Sequence, residues 1–148
     1  MSFTSLNYHV VFSTKDRRVL LDAERMERVC EYMGGIVENM GCRLHAVNGP
    51  GDHVHLAVSL GAQVSCADFV RTVKSNTSRW MHETFEDMGA FGWQDGYAAF
   101  TVSYSGLENV IAYIKGQVEH HRKMTFEEEL TALLKKHKVD YDPRWLGG

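Results

Sequence analysis

The sequence predicts an α+β fold, a ferredoxin-like (split βαβ) antiparallel sheet of four strands with two packing helices and further helices at the C-terminus. Segments with two-residue periodicity and segments with helical periodicity follow the order strand, helix, strand, strand, helix, strand, and then helices. The chain has 148 residues, of which 44% are hydrophobic, enough to bury one core. Since no repeat or Pro/Gly-rich linker divides it, we expect a single domain over residues 1–148.

The first strand and helix follow from their apolar periodicities. Residues 6–14 (LNYHVVFST) alternate apolar side chains onto one face, as a half-buried strand requires. Asp22 is a suitable N-cap for the helix that follows, and Gly41 is suited to end it. Along that helix, apolar residues recur every three or four positions: Met26, Val29, Cys30, Met33, Val37 and Met40.

The middle of the chain predicts a hairpin and a second helix. Residues 42–48 and 52–60 have strand character, and the Gly49-Pro50-Gly51 segment between them supplies a turn. Ser65, followed three residues later by Asp68, resembles a capping box. The helix it begins carries a stripe of Phe69, Val73, Thr77, Trp80 and Phe85.

A glycine-rich aromatic loop, GAFGWQDG, precedes the last predicted strand, residues 97–104. Its rings, Phe91, Trp93 and Tyr97, are suited either to stacking on an unpaired base or to filling the core. A third helix is predicted from the stripe Leu107, Val110, Ile111, Ile114 and Val118. Thr125 with Glu128 forms a capping-box pattern at the start of a final short helix.

Charge and cysteine content exclude several classes of protein. The formal net charge of −3 argues against an indiscriminate polyanion binder, whose affinity comes from Lys and Arg. Three cysteines without a CxxC pair indicate neither a disulfide framework nor a cysteine zinc site. No segment reaches the roughly 20 apolar residues that span a bilayer, and no secretory signal is visible. We therefore expect a cytoplasmic protein without a membrane partner.

Two histidines on the third predicted strand are candidate metal ligands. His53 and His55 lie two residues apart, so their side chains leave the same face of the strand. Two imidazoles on one face can share a metal ion. The spacing alone is a weak signal, because it is more typical of ordinary polar residues on a half-exposed strand.

Tyr113 and Gln117 lie four residues apart on the third predicted helix and therefore on the same side of it. Periodicity does not single them out, because a tyrosine at the core boundary and a solvated glutamine are both common. Their significance depends on their combination with the histidine pair.

Taken in order, these motifs resemble the single-tyrosine HUH transposases of small bacterial and archaeal insertion sequences. HUH stands for His, a bulky hydrophobic residue and His, which here is His53-Val54-His55. The resemblance covers nearly the whole chain, through YHVVFSTKDRR, NGPGDHVHLAVSL, FVRTVKSNTSRWMHE, FGWQDGYAAFTVS, YIKGQ, EHHRKMTFEEE and HKVDYDPRW. Residues 106–148 correspond in that resemblance to the catalytic-tyrosine helix and the C-terminal tail.

The resemblance implies a metal-dependent DNA transposase. His53, His55 and Gln117 would bind a divalent ion, Mg²⁺ or Mn²⁺, and Tyr113 would attack a DNA phosphodiester to form a 5′-phosphotyrosine. Lys115, the metal or a water would help to form the phenolate. The cleaved ends could then be rejoined without ATP.

Asp52 has two interpretations, an acceptor that orients a ligand imidazole or a turn residue after Gly51. We expect His120 and His121 to be ordinary exposed histidines at a helix end. His9 and His45 are expected at the sheet surface or the core edge. Acidic residues concentrate on the first helix and in the run Glu127-Glu128-Glu129.

The resemblance also implies single-stranded DNA hairpins as partners and a homodimer that can exchange the tyrosine helix. Positions 71–79 carry basic and hydroxyl side chains and no acidic one, which suits phosphate contacts. The candidate DNA-binding residues are Arg71, Lys74, Ser75, Arg79 and Lys115. The alternatives are a non-cleaving or domesticated hairpin-binding protein of the same fold and a small metal-dependent hydrolase.

Overall fold

The structure, a computed structural model, describes residues 1–121 and 123–145, without the side chains of His120 and Trp145. The C-terminal end of the predicted domain and the His120 side chain therefore lie outside the described residues. The strands are β1 (Asn7–Ser13), β2 (Arg43–Asn48), β3 (His53–Ser59) and β4 (Ala98–Val102). The helices are α1 (Ala23–Asn39), α2 (Cys66–Thr84), α3 (Leu107–Lys115), α4 (Gln117–His120) and α5 (Phe126–Lys136).

The four strands form one antiparallel sheet in the order β2-β3-β1-β4, which confirms the predicted α+β, ferredoxin-like fold. The two central strands, β1 and β3, are adjacent, with Val10 opposite Leu56 and Val11 opposite His55. Since opposite residues of an antiparallel pair share a face, the register assigns each side chain of the central strands to one of two surfaces.

One surface of the sheet forms the main hydrophobic core. Val10, Phe12, Val54 and Leu56 lie on this face and are at most 2% exposed. The buried stripes of α1 and α2 pack on the same cluster: Met26, Val29, Met33, Val37, Phe69, Val70, Val73 and Met81. The predicted caps of both helices are confirmed, because Asp22 accepts from the Arg25 N–H and Ser65 accepts from the Asp68 N–H.

The β2–β3 turn depends on glycine. A Cβ on Gly49 would lie 1.9 Å from the His53 carbonyl oxygen, and Gly51 has φ +129°. Neither position accommodates another residue without displacing backbone. The turn thereby fixes where β3 begins and, with it, the position of His53.

The opposite face of the sheet is covered by the C-terminal helices. α3 packs through Leu107 and Ile114 on Ala46 and Ala57, and α5 packs through Leu134 on Phe100 of β4. The prediction of one continuous third helix was wrong: α3 ends at Lys115, and Gly116 separates it from α4. The low helix propensity of glycine favours a break at this position, although α1 continues through Gly34 and Gly35.

The glycine-rich loop before β4 contributes rings to the core. Trp93 packs edge-on against Phe12 at 4.9 Å and against Phe91 at 5.0 Å, whereas Tyr97 is 45% exposed. Of the two open interpretations, core filling holds for Phe91, whereas Trp93 packs on the core but is only partly buried, and Tyr97 is placed to meet a ligand. Across the described part of the chain, no helix is both long and apolar enough to cross a bilayer.

Candidate metal centre and active site

The two HUH histidines extend from β3 toward the C-terminal helices. Val54, between them, faces the main core, so His53 and His55 share the other face, as the strand periodicity predicts. Both are fully buried, and their ring centroids are 5.0 Å apart. The prediction of a shared face is confirmed, but the face is enclosed rather than half-exposed.

Each of these histidines has a partner on its Nδ1 atom. Asp52 places a carboxylate oxygen 2.6 Å from Nδ1 of His53, and His9 of β1 places Nε2 2.7 Å from Nδ1 of His55. Asp52 therefore orients an imidazole, the first of its two interpretations. His9 is 4% exposed and belongs to this cluster rather than to the sheet surface or core edge. With Nδ1 occupied, Nε2 of each HUH histidine is directed inward.

Tyr113 of α3 and Gln117 of α4 extend toward the two HUH histidines from the C-terminal helices. The helix break at Gly116 lies between them. The Tyr113 ring lies 5.9 Å from the His55 ring, and the Gln117 side chain is fully buried. Asn48 of β2 anchors the end of α3 by donating from Nδ2 to the carbonyls of Ile114 and Lys115, at 3.3 Å each. The four residues predicted as nucleophile and ligands are thus brought together within one chain.

A carboxylate from α5 lies at the centre of the cluster. Glu129 is 1% exposed, and its Oε1 lies 3.1, 2.9 and 2.8 Å from Nε2 of His53, His55 and His121. Its Oε2 accepts hydrogen bonds from the Tyr113 hydroxyl and from Gln117 Nε2, the latter at 2.9 Å.

The expectation for His121 was therefore wrong, and Glu129 is a residue of the site to which no role was assigned from the sequence. His121 is not an exposed helix-end histidine, since its side chain is 9% exposed. Glu129 does not belong to the surface charge. The sequence held one signal for it: Glu129 lies in the apolar stripe of α5, three residues after Phe126 and four before Leu133.

The donor atoms fit a divalent cation. Ligating atoms of His53, His55, His121 and Glu129 all lie within 4.8 Å of one another. Gln117 Oε1 is buried and has no hydrogen-bond partner. A buried carbonyl oxygen without a partner is costly, and a bound cation beside it would remove that cost. Imidazole nitrogen with carboxylate and amide oxygen is a usual donor set for a first-row divalent metal.

Burial and mutual contacts set the protonation of the cluster. Burial, with the nearby His55, lowers the pKa of His9 to about 3, and burial lowers that of His55 to about 4, so both are neutral at pH 7. Burial opposes charge on His53, but hydrogen bonds to Asp52 and Glu129 outweigh it and raise its pKa. Burial and the Glu129 carboxylate raise the pKa of Tyr113, which holds it as the phenol.

The basic residues predicted for DNA binding lie mostly on α2, and several contact other protein groups. Arg71 pairs with Asp68, and Arg79 donates to Asn76 Oδ1 at 2.6 Å. Lys74 Nζ donates to the carbonyls of Gln94 and Gly96, at 2.6 and 2.9 Å. The Ser75 hydroxyl donates to the Arg71 carbonyl at 2.8 Å, and the Lys115 side chain is exposed on α3.

Two adjoining grooves connect this helix with the buried cluster. One, of about 430 Å³, is lined by Arg71, Lys74 and Ser75 of α2 together with Trp93 and the 95–97 segment. The other, of about 480 Å³, shares the 95–97 segment and continues past Arg17 to Phe126, whose ring stacks on His53 at 4.2 Å. The grooves share one wall, formed by the loop that precedes β4.

Comparisons with known proteins agree with this geometry. A family model described as "Transposase IS200 like" matches residues 2–117. The ISDra2 transposase TnpA of Deinococcus radiodurans is 26% identical over 117 residues, which cover 76% of this chain and 84% of that protein. The transposase for insertion sequence element IS200 of Salmonella typhimurium is 26% identical over 120 residues, 78% of each chain.

Solved structures show the same fold. A crystal structure of a Deinococcus radiodurans R1 protein assigned as a transposase superposes with a TM-score of 0.63 at 27% identity, over 78% of this chain and 93% of that one. A REP-associated tyrosine transposase bound to a REP hairpin gives a TM-score of 0.62 at 11% identity, over 82% and 71%. The second likeness concerns the fold alone.

Proposed function

Because the chain belongs to the IS200-like transposase family, we propose that it cleaves and rejoins single-stranded DNA at hairpin-bearing element ends through a 5′-phosphotyrosine on Tyr113. One observation carries the proposal. The Tyr113 hydroxyl and the buried side chains of His53, His55 and Gln117 meet around a single carboxylate. A protein that only bound a hairpin would not need a nucleophile beside an enclosed cluster of metal-ligating groups.

The covalent step needs a positioned nucleophile. The phenolic proton of Tyr113 leaves, and its oxygen bonds to phosphorus as the bond from phosphorus to the 3′ oxygen breaks. The departing 3′ oxygen takes up a proton and becomes a hydroxyl. A 3′-hydroxyl can later attack the phosphotyrosine, which re-forms a phosphodiester and restores the tyrosine. Asn48 and the α3 packing on β2 hold Tyr113 in place for this reaction.

His53, His55 and Gln117 are the proposed metal ligands. Asp52 and His9 orient the two imidazoles with Nε2 inward, and Gln117 supplies its unpartnered Oε1. When bound there, Mg²⁺ or Mn²⁺ would act as a Lewis acid that neutralises charge on the scissile phosphate.

The two grooves are the proposed path of the strand. Arg71 and Ser75 line one groove and would contact phosphates there, and the exposed Tyr97 ring offers a surface for a base to stack. Arg79 of α2 and Lys115 of α3 line neither groove and are proposed to contact phosphates of the flanking strand. Lys74 is proposed to have a structural role, since its hydrogen bonds hold the loop between the two grooves against α2.

A hairpin is the proposed partner because the REP-associated relative was solved with one, and because an acidic chain with local basic groups favours a selective ligand. A homodimer is proposed from the family resemblance. Tyr113 lies in the site of its own chain, so we propose that the first cleavage uses residues of one protomer.

The test mixes the protein with Mg²⁺ or Mn²⁺ and labelled single-stranded hairpin oligonucleotides that carry the DNA flanking its gene. We expect a covalent protein–DNA adduct on denaturing gels for the wild type and none for Tyr113→Phe. Tyr104→Phe is the matched control, since Tyr104 is 80% exposed. Hairpin binding with no adduct in either metal would contradict the proposal and favour a non-cleaving binder. Gene flanks without paired element ends would favour a domesticated enzyme.

A further inference from the structure

We propose that His121 and Glu129 are two further ligands of the metal ion, so that this chain builds a three-histidine, one-carboxylate site selective for Mn²⁺-like transition ions over Mg²⁺. The inference rests on the proposed function and deepens it, because it concerns the same ion. The family model ends at residue 117, so both residues lie beyond the segment that it matches.

The spacing of the donor atoms supports one shared ion. Metal bonds to imidazole nitrogen and carboxylate oxygen are about 2.0–2.2 Å long, so neighbouring ligands at right angles are about 3 Å apart. The three imidazole Nε2 atoms lie 2.8–3.1 Å from Glu129 Oε1. The four donors together span no more than 4.8 Å, close to the about 4.2 Å that separates ligands on opposite sides of one ion.

The polar groups around Glu129 outnumber its lone pairs, a crowding that a bound cation would relieve. An ionised carboxylate offers about four lone-pair sites, yet five side chains lie within hydrogen-bond distance of its two oxygens. If His53 donates its Nδ1 proton to Asp52, the lone pair on Nε2 faces Glu129 Oε1 at 3.1 Å. Two facing lone pairs repel unless a proton or a metal ion lies between them.

The position of Glu129 is fixed by several independent contacts. The capping box of Thr125 and Glu128 begins α5, the Phe126 ring stacks on His53, and Leu134 packs against Phe100. His121 packs edge-on against His53 with ring centroids 4.5 Å apart. The carboxylate is therefore held in the cluster by the packing of its helix as well as by its own hydrogen bonds.

The donor set determines which metal is preferred. Mg²⁺ favours oxygen ligands and keeps several waters, whereas imidazole suits first-row transition ions such as Fe²⁺, Ni²⁺ and Zn²⁺, of whose series Mn²⁺ is the weakest binder. A site with three imidazoles, one carboxylate and the Gln117 carbonyl therefore favours a transition ion over Mg²⁺. A six-coordinate ion would retain one position for a DNA phosphate after all five protein groups had bound.

The experiment is calorimetric titration of the full chain without DNA, using MnCl₂ and MgCl₂, with folding checked by circular dichroism. We expect tighter binding of Mn²⁺ than of Mg²⁺, and a loss of Mn²⁺ affinity of at least about tenfold in Glu129→Gln and His121→Ala. Glu127→Gln is the control on the same helix, and His82→Ala is the control for a histidine on α2. Both controls should bind as the wild type does.

Two outcomes would overturn the inference. If Glu129→Gln binds Mn²⁺ as tightly as the wild type or more tightly while His53→Ala abolishes binding, Glu129 competes with the metal, and the proposed transposase chemistry is untouched. If His53→Ala leaves Mn²⁺ binding unchanged, the cluster is not a metal site. If the wild type binds Mn²⁺ as expected but forms no covalent adduct with DNA, that result would count against the proposed function alone.

Discussion

His53, His55, Gln117 and Glu129 are polar, yet none is more than 1% exposed. Burying polar groups costs about 1–3 kcal/mol for each one left without a partner, and apolar residues of similar size often stabilise a fold as well or better. Stability alone therefore does not explain why these four side chains occupy the second face of the sheet. The proposed metal site, enclosed from water, would explain it.

His9 is expected to act as a positioning residue, through His55. His9→Ala removes the partner of His55 Nδ1, which frees the imidazole to rotate. Changes to groups that orient a ligand typically lower metal affinity about 10–100-fold, and we expect that loss in a Mn²⁺ titration. His45→Ala is the control, because His45 contacts Ser59 and no ligand. Unchanged affinity in His9→Ala would show that the hydrogen bond does not orient His55.

Cys30 is expected to be unreactive in the folded protein. Burial, with Glu27 and Glu31 nearby, raises the pKa of its thiol to about 12. The thiolate is the reactive form, so at pH 8 iodoacetamide should modify Cys30 far more slowly in buffer than in denaturing urea. Its rate should rise with pH toward 12. Mass spectrometry of timed samples measures both, and equal rates with and without urea would contradict the burial of Cys30.

The residues of the site differ in how well sequence predicts them. His53 and His55 follow from strand periodicity, and Tyr113 and Gln117 follow from the family resemblance. His9 and His121 could not be assigned in this way, and the place of Glu129 in the α5 stripe indicates burial but not a partner. These three residues join the cluster through pairing of β1 with β3 and through docking of α5, which are long-range contacts.

At the scale of elements, α5 should couple stability to metal binding through its N-cap. Thr125→Ala removes the capping box, which costs about 1 kcal/mol and loosens the turn that precedes Glu129. We expect a lower urea midpoint together with weaker Mn²⁺ binding.

Ser65→Ala is the matched control, since Ser65 caps α2, which packs on the other face of the sheet. It should lower the urea midpoint by a similar amount and leave the Mn²⁺ affinity unchanged. If both substitutions changed the Mn²⁺ affinity equally, the N-cap of α5 would not specifically control the position of Glu129 in the site.

Salt dependence tests the proposed strand path along α2. If Arg79 contacts a phosphate, Arg79→Ala should weaken binding to a single-stranded hairpin and reduce the slope of log affinity against log salt by about 0.7–0.9. Arg43→Ala, on the exposed edge strand β2, should leave the slope unchanged. Fluorescence anisotropy over a range of NaCl concentrations measures the slope. Equal slopes for the two variants would exclude Arg79 from the path.

The elements themselves were predicted well because their signals are local. Caps at Asp22, Ser65 and Thr125 and the glycine turn at 49–51 mark boundaries that the structure confirms to within one or two residues. The third helix was the exception. Its apolar stripe continues through Val118, but periodicity does not register the low helix propensity of Gly116.

For the whole molecule, the net charge of −3 is an average over unlike regions. One of its acidic residues, Glu129, lies inside the site and not on the surface. The two faces of the sheet have different roles. One face packs against α1 and α2 to form the core, and the other carries the polar cluster with α3, α4 and α5. Adjacent residues of β3 therefore have different roles.

Leu56 and His55 test this division directly. Leu56 is fully buried in the main core, and Leu56→Ala should destabilise the fold by about 2–5 kcal/mol. His55→Ala removes a proposed ligand from the other face. A bound metal stabilises the folded state by a free energy that grows with the logarithm of its concentration relative to the Kd, about 2.7 kcal/mol at 100 times the Kd, and the melting temperature rises accordingly.

Melting curves with and without Mn²⁺ therefore separate the two roles. Leu56→Ala should melt at a lower temperature and keep a Mn²⁺-dependent increase in stability similar to that of the wild type, since its site is intact while folded. His55→Ala should lose that increase, whatever its melting temperature without metal. If Leu56→Ala lost the increase as well, the two faces would be one cooperative unit, and packing by α1 and α2 would set the geometry of the metal site.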